Sequence, residues 1–269
     1  MSTASRSVPA GHGWLWIVEG FALFRKSAST WVLLLLALLV FMKVLVLVPR
    51  VLHIDFAPLL QIIFVLLMPV FIVGLMDGCR ALERGEPLVA GYLLVGFRRN
   101  AAQLVTIGGI SLVGNIAVMM LVLSLGGESM ATMSKIMSQK AAIDPQLAKD
   151  AQVAAVNVAR ALLVGTLVSV PLLMALWYAP LLVYFQDEKP LVALKESFVA
   201  CVKNTGSMLL YGMLLLVGMF LAMPFGIVLG QYDLALWLLA PIVVPSLYVS
   251  YKDIFLAGEE PVGSTTRLR

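Results

Sequence analysis

The chain has 269 residues, 61% of them hydrophobic and 13% charged, with mean hydropathy +0.98 and net charge +4. Soluble domains carry roughly 45–50% apolar and about 25% charged residues, so composition excludes a soluble protein and points to an integral membrane one. No basic cluster is interleaved with aromatics in a polar module, so nucleic acid is not an expected partner. The positive balance reads instead as membrane orientation, with anionic headgroups as counter-ions.

In chain order, residues 1–13 are polar and glycine-bearing and are expected to be disordered. Trp14, Ile17, Phe21 and Phe24 then recur at helical spacing, predicting a surface helix that ends in Phe24-Arg25-Lys26-Ser27. Six apolar runs long enough to cross a hydrocarbon layer of ~30 Å follow, roughly over 31–48, 56–76, 101–125, 158–186, 207–230 and 233–255. A second surface helix is expected over 87–100 and a third over 190–204, where Leu191, Leu194, Phe198 and Cys201 or Val202 share a face. Small residues in the third run (Gly108, Gly109, Ser111, Gly114) and a Gly218, Ala222, Gly226, Gly230 stripe in the fifth favour close helix packing.

The sizeable extramembrane segment is 126–157. Its Met130, Met133 and Met137 suggest a copper(I) site only weakly, because no His or Cys accompanies them; an ordinary apolar helix face is the expected reading. Asp144-Pro145 reads as a helix start, and nothing breaks the pattern from there to Pro171, so the fourth span should project about five turns beyond the bilayer. Residues 258–269 form a polar tail, expected to be disordered, and 14–257 one membrane domain.

A repeat organises these elements. Pro69, Pro180 and Pro245 sit in the three return spans and should kink them. Each is followed seven or eight residues later by an aspartate: Asp77, Asp187 and Asp253. Glu86-Pro87-Leu88-Val89-Ala90 matches Lys189-Pro190-Leu191-Val192-Ala193, and Arg98-Arg99-Asn100 matches Lys203-Asn204. The expected fold is therefore all-α and polytopic: three two-span units, each led by a surface helix. With the N-terminus in the cytoplasm, thirteen of the nineteen Lys and Arg fall on that side, which predicts both termini inside.

Chemistry leaves little trace. His12 and His53 lie on opposite sides of the membrane in this topology, no phosphate loop is present, and no nucleophile has an evident base beside it. No catalytic, cofactor-binding or metal residue is assigned, and the chain is read as a non-enzyme. Carboxylates can all be placed at span ends or in loops, which disfavours ion-coupled transport. Asp77, Asp187 and Asp253 are candidates for a cytoplasmic carboxylate ring or, with more weight, for helix caps or partners of nearby Arg and Lys. Arg25, Lys26, Arg98, Arg99, Lys195 and Lys203 are candidate headgroup contacts, and Cys79 and Cys201 read as small apolar residues at interfaces.

The run from Ala179-Pro180 through Asp187, Pro190, Leu194 and Ser197-Phe198 to Lys203-Asn204, together with Tyr251-Lys252-Asp253-Ile254-Phe255, resembles a family of uncharacterised six-helix inner-membrane proteins of proteobacteria. That likeness covers nearly the whole chain. Around 177–206 the sequence is more distantly similar to the membrane region attached to some glycerophosphodiester phosphodiesterases, whose catalytic barrel has no counterpart here. The resemblance implies inner-membrane residence and a link with lipids; it carries over no biochemical activity. The expected role is lipid contact or partner assembly in the envelope; the alternative is a passive channel or small-molecule permease.

Overall fold

The computed structural model describes residues 5–51, 57–138, 145–228, 230 and 234–256. The 258–269 tail, His53 and the helix start at Asp144 lie outside them. The described residues form eight α-helices: α1 (His12–Arg25), α2 (Ala28–Val51), α3 (Ala57–Glu83), α4 (Ala101–Ser138), α5 (Pro145–Gln186), α6 (Pro190–Lys203), α7 (Thr205–Val228) and α8 (Leu234–Tyr251). A 3-10 helix, Ala90–Phe97, separates α3 from α4, and a π-helical turn, Lys252–Leu256, extends α8. Six helices, α2, α3, α4, α5, α7 and α8, are long and apolar enough to cross a membrane, as the sequence predicts.

The chain divides into two compact units. One comprises residues 109–174, the distal part of α4 and the proximal part of α5. Small residues set its packing: a Cβ on Gly126 would stand 2.7 Å from that of Ala161, and one on Gly165 would stand 2.3 Å from Val122. The polar groups in these helices are consumed locally. Thr166 and Ser169 donate to carbonyls one turn back at 2.8 and 2.7 Å, and Asn115 does the same to Ser111 at 2.7 Å. At 1.5 Å per residue the 38 residues of α4 and 42 of α5 are about 57 and about 63 Å long, twice the hydrocarbon thickness. The methionine-bearing segment thus belongs to α4, where Met130 and Met133 line a shallow apolar cleft with Val158.

The second unit comprises residues 1–108 and 175–269. Here the C-terminal ends of the proline-bearing helices α3, α5 and α8 meet. Glu83 accepts from the Tyr248 hydroxyl at 2.9 Å and from Lys252 at 3.0 Å, Gln186 donates to the Tyr251 hydroxyl, and the Tyr178 hydroxyl donates to Ser250. The Arg80 guanidinium stands over the Phe185 ring at 5.4 Å.

Against these ends dock the three segments that precede α2, α4 and α7: α1, the 3-10 helix and α6. Helix α1 lies on α8 and α7 through Gly13, Trp16, Gly20 and Leu23; a Cβ on Gly20 would approach the Ser246 backbone nitrogen to 2.6 Å. Helix α6 buries Ala193, Ser197, Ala200 and Cys201, and its Ser197 Oγ accepts the backbone N–H of Tyr178 in α5 at 2.9 Å. The 3-10 segment lies on α3, with Gly96 against the Val70 carbonyl and Gly74 against that of Tyr92.

Two sequence expectations need correcting. The segment expected as an amphipathic α-helix over 87–100 is a 3-10 helix only eight residues long, entered through an extended Val89 and left through Asn100 at φ +58°. The backbones of this segment and α3 approach too closely for side chains at Gly74 and Gly96, so the tertiary fit outranks the helical pattern. The expectation of disorder over 1–13 also fails for residues 5–13, which are bonded to α7 and the end of α8.

Candidate functional site

The three aspartates singled out by the sequence pattern lie in the second unit, and two of them, Asp253 and Asp187, are engaged by the chain's own donors. Asp253 is buried within the π-helical turn. Its carboxylate receives the Arg6 guanidinium, His12 Nδ1 at 2.7 Å and Trp16 Nε1 at 2.8 Å. Arg6 also donates from its side chain to the Asp253 carbonyl and from its backbone to that of Ile254. A buried carboxylate with a guanidinium and two ring nitrogens around it meets the condition under which burying charge is tolerable.

The N-terminal residues that reach Asp253 form a strap held on its other side by α7 and the turn before it. The Asn204 side chain accepts the Val8 N–H at 2.8 Å and donates to the Arg6 carbonyl at 2.9 Å. Ser207 donates to the carbonyls of Val8 and Pro9. Lys203, a candidate headgroup contact, reaches the Ser5 carbonyl at 3.4 Å.

Asp187 presents the opposite environment. It is exposed and ends α5 in a left-handed conformation, φ +55°, which Asp tolerates better than most residues. Arg99 grips it with two nitrogens and Asn100 donates at 2.7 Å. The Arg99 hydrogen bond, then that of Asn100, holds the Asp187 carboxyl below the usual carboxylate range. Asn100 also donates to the Val183 carbonyl, fastening the start of α4 to the end of α5. Asp77 lies beside the Tyr184 hydroxyl, and the Tyr184 ring lies 5.9 Å from the Arg99 guanidinium.

Asp187 does not cap α6, whose N-cap is Lys189 without a side-chain hydrogen bond. Of the six candidate headgroup residues, Arg99, Lys203 and Lys26 bond to the protein itself, Lys26 through the Leu82 carbonyl at 3.4 Å. Arg25, Arg98 and Lys195 are exposed, Arg25 resting on its own helix's Phe21 ring at 5.5 Å. Pro69, Pro180 and Pro245 all fall close to a docking contact: Val70 meets Gly96, Tyr178 meets Ser197, and Ser246 meets Gly20.

Sequence reasoning missed Arg6, His12, Trp16 and Asn204. The i, i+4 spacing of His12 and Trp16 was a usable signal, since it places two ring nitrogens on one helix face. Cys201 is buried and its thiol pushed up to about 12, which makes it an inert packing residue. No cluster of three metal-ligating His, Cys, Asp or Glu side chains occurs among the described residues.

The chain is similar to a protein of Burkholderia thailandensis described as a probable inner membrane protein, with 29% identity over 257 residues, 91% of this chain and 89% of that one. No family model and no solved structure matches. With the six apolar helices, this similarity makes the chain a multi-pass integral membrane protein.

Proposed function

We propose that the protein is a non-enzymatic inner-membrane component that works through contact with lipid headgroups, built from three repeats of surface segment, outward span and proline-kinked return span. The observation that carries this reading is the way α1, the 3-10 segment and α6 divide their faces. The 3-10 segment and α6 turn small residues toward the protein, α1 turns Gly13 and Gly20 together with Trp16 and Leu23, and all three leave large apolar residues outward. Trp14, Leu15, Val18 and Phe21 are exposed on α1; Leu94 and Phe97 on the 3-10 segment; Leu191, Phe198 and Val202 on α6. Outward apolar side chains beside exposed Arg25, Arg98 and Lys195 are the arrangement of an element lying in a membrane interface. The docking partners follow a cyclic rule: the 3-10 segment on α3, α6 on α5, α1 on α8, each on the return helix before it. This supports the repeat, with both termini and all three segments cytoplasmic.

The full-length protein in nanodiscs with spin-labelled lipids tests the proposal. Phosphatidylglycerol should be immobilised at the protein surface in preference to phosphatidylcholine, and changing Arg25, Arg98 and Lys195 together to Gln should erase the preference. Equal immobilisation of both lipids by the unaltered protein would overturn it. A channel would instead show solute flux on reconstitution.

A further inference from the structure

The same corner recurs three times, where the turn before an outward span faces the end of a return span, and the three copies are filled differently. Between α4 and α5 it is closed by direct bonds from Arg99 and Asn100 to Asp187. Between α7 and the π-helical turn it is filled by the strap, held by Asn204 and Asp253. Between the α1–α2 turn and the end of α3 it is an open cleft of about 430 Å³.

One wall of that cleft is Lys26, Ser27 and Thr30; the other is Leu82, Glu86 and Leu88. The second wall is firmly shaped. Helix α3 ends in a Schellman motif, with Gly85 at φ +78°, its N–H on the Leu82 carbonyl and the Glu86 N–H on that of Ala81. The cleft therefore offers one ammonium, two hydroxyls and one carboxylate, a lining with both charges and no net one. Lys26 spends one weak hydrogen bond on Leu82, leaving donors free. Beyond the cleft, the face that begins at Thr30 continues up α2 as an apolar groove through Leu33, Ala37, Val40 and Val44. From Thr30 to Val44 the helix rises about 21 Å, which suits an extended acyl chain.

We infer that this corner is a binding site for a glycerophospholipid whose headgroup carries both a phosphate and a primary ammonium, with one acyl chain in the α2 groove. The phosphate is received by Lys26, Ser27 and Thr30, the ammonium by Glu86. A net anionic headgroup would meet Glu86 unfavourably, and a choline headgroup has no N–H to donate to it. The inference rests on the lipid-contact reading above and adds to it one saturable, headgroup-selective site, separate from the exposed Arg25, Arg98 and Lys195.

Native mass spectrometry of the full chain, titrated with phosphatidylethanolamine, phosphatidylglycerol or phosphatidylcholine, tests it. One phosphatidylethanolamine should be retained in preference to the other two. Lys26→Gln and Glu86→Gln should each weaken that retention roughly tenfold, the size of one charge-assisted hydrogen bond. Ala37→Trp, which fills the groove and leaves the headgroup wall untouched, should weaken it to the same extent. Retention unchanged in all three variants, or a wild-type preference for phosphatidylglycerol, would overturn the site while leaving general lipid contact standing. Full competition by soluble phosphoethanolamine would overturn the acyl part of the assignment. Loss of retention in Lys195→Gln equal to that in Lys26→Gln would assign the effect to general charge and overturn the site as well.

Discussion

Asp187 and Asp253 both stand at the C-terminal ends of proline-bearing helices, α5 and α8, yet their surroundings differ in nearly every respect. Asp187 is exposed and pairs with Arg99 and Asn100. Asp253 is buried and takes three donors from the N-terminal strap and α1. An exposed ion pair is screened and easily replaced by water, whereas a buried carboxylate is tolerable only while its partners stay in place. The first fastens one helix end; the second ties the strap and the start of α1 to the end of α8.

This contrast is broken most severely at Asp253. Asp253→Ala takes the carboxylate from the Arg6 Nη2, His12 and Trp16 donors and should cost about 3 kcal/mol or more, read as a lowered unfolding midpoint by circular dichroism in detergent. Gly20→Val should come next. Its side chain would collide with the Ser246 backbone and lift α1 from α8, costing about 2 kcal/mol and releasing the strap to protease. Asn204→Ala strands the Val8 N–H and the Arg6 carbonyl, for a loss of about 1–3 kcal/mol in the same assay.

Asp187→Asn should have the smallest effect, with an unfolding midpoint at neutral pH close to that of the unaltered protein. Its contribution has a definite pH sign. Arg99 and Asn100 lower the folded pKa, so the stabilisation is present above the unfolded carboxylate value near ~3.9 and is lost as pH falls through the folded one. The difference between wild type and Asp187→Asn should therefore vanish in acid. A difference that grows on acidification would contradict the pairing.

The six crossing helices and the proline-to-aspartate spacing were legible because apolar length and helix breakers are local properties. The way α1, the 3-10 segment and α6 dock was not. On α6 the sequence pattern puts Leu191, Leu194, Phe198 and Cys201 or Val202 on one face, but of these only Cys201 joins the protein-facing stripe of Ala193, Ser197 and Ala200. Inside a membrane, large apolar residues gain nothing by leaving lipid, so small residues that admit close backbones mark the interface. The strap escaped notice for a related reason: short, polar and glycine-bearing, it is ordered by the long-range partners Asn204, Ser207 and Asp253, which no local pattern reveals. The 3-10 geometry of Ala90–Phe97 likewise follows from its approach to α3.

The proposed threefold arrangement puts α1, the 3-10 segment and α6 on one side of the bilayer, each docked on a proline-bearing helix. The most direct test places single cysteines at Arg25, Arg98 and Lys195 in intact cells and labels them with a membrane-impermeant maleimide; the buried Cys79 and Cys201 give little background. All three positions should react only after the cytoplasmic face is opened, and to similar extents. Labelling of any one of them from the opposite side would contradict the threefold arrangement and, with it, the lipid surface assigned to these segments.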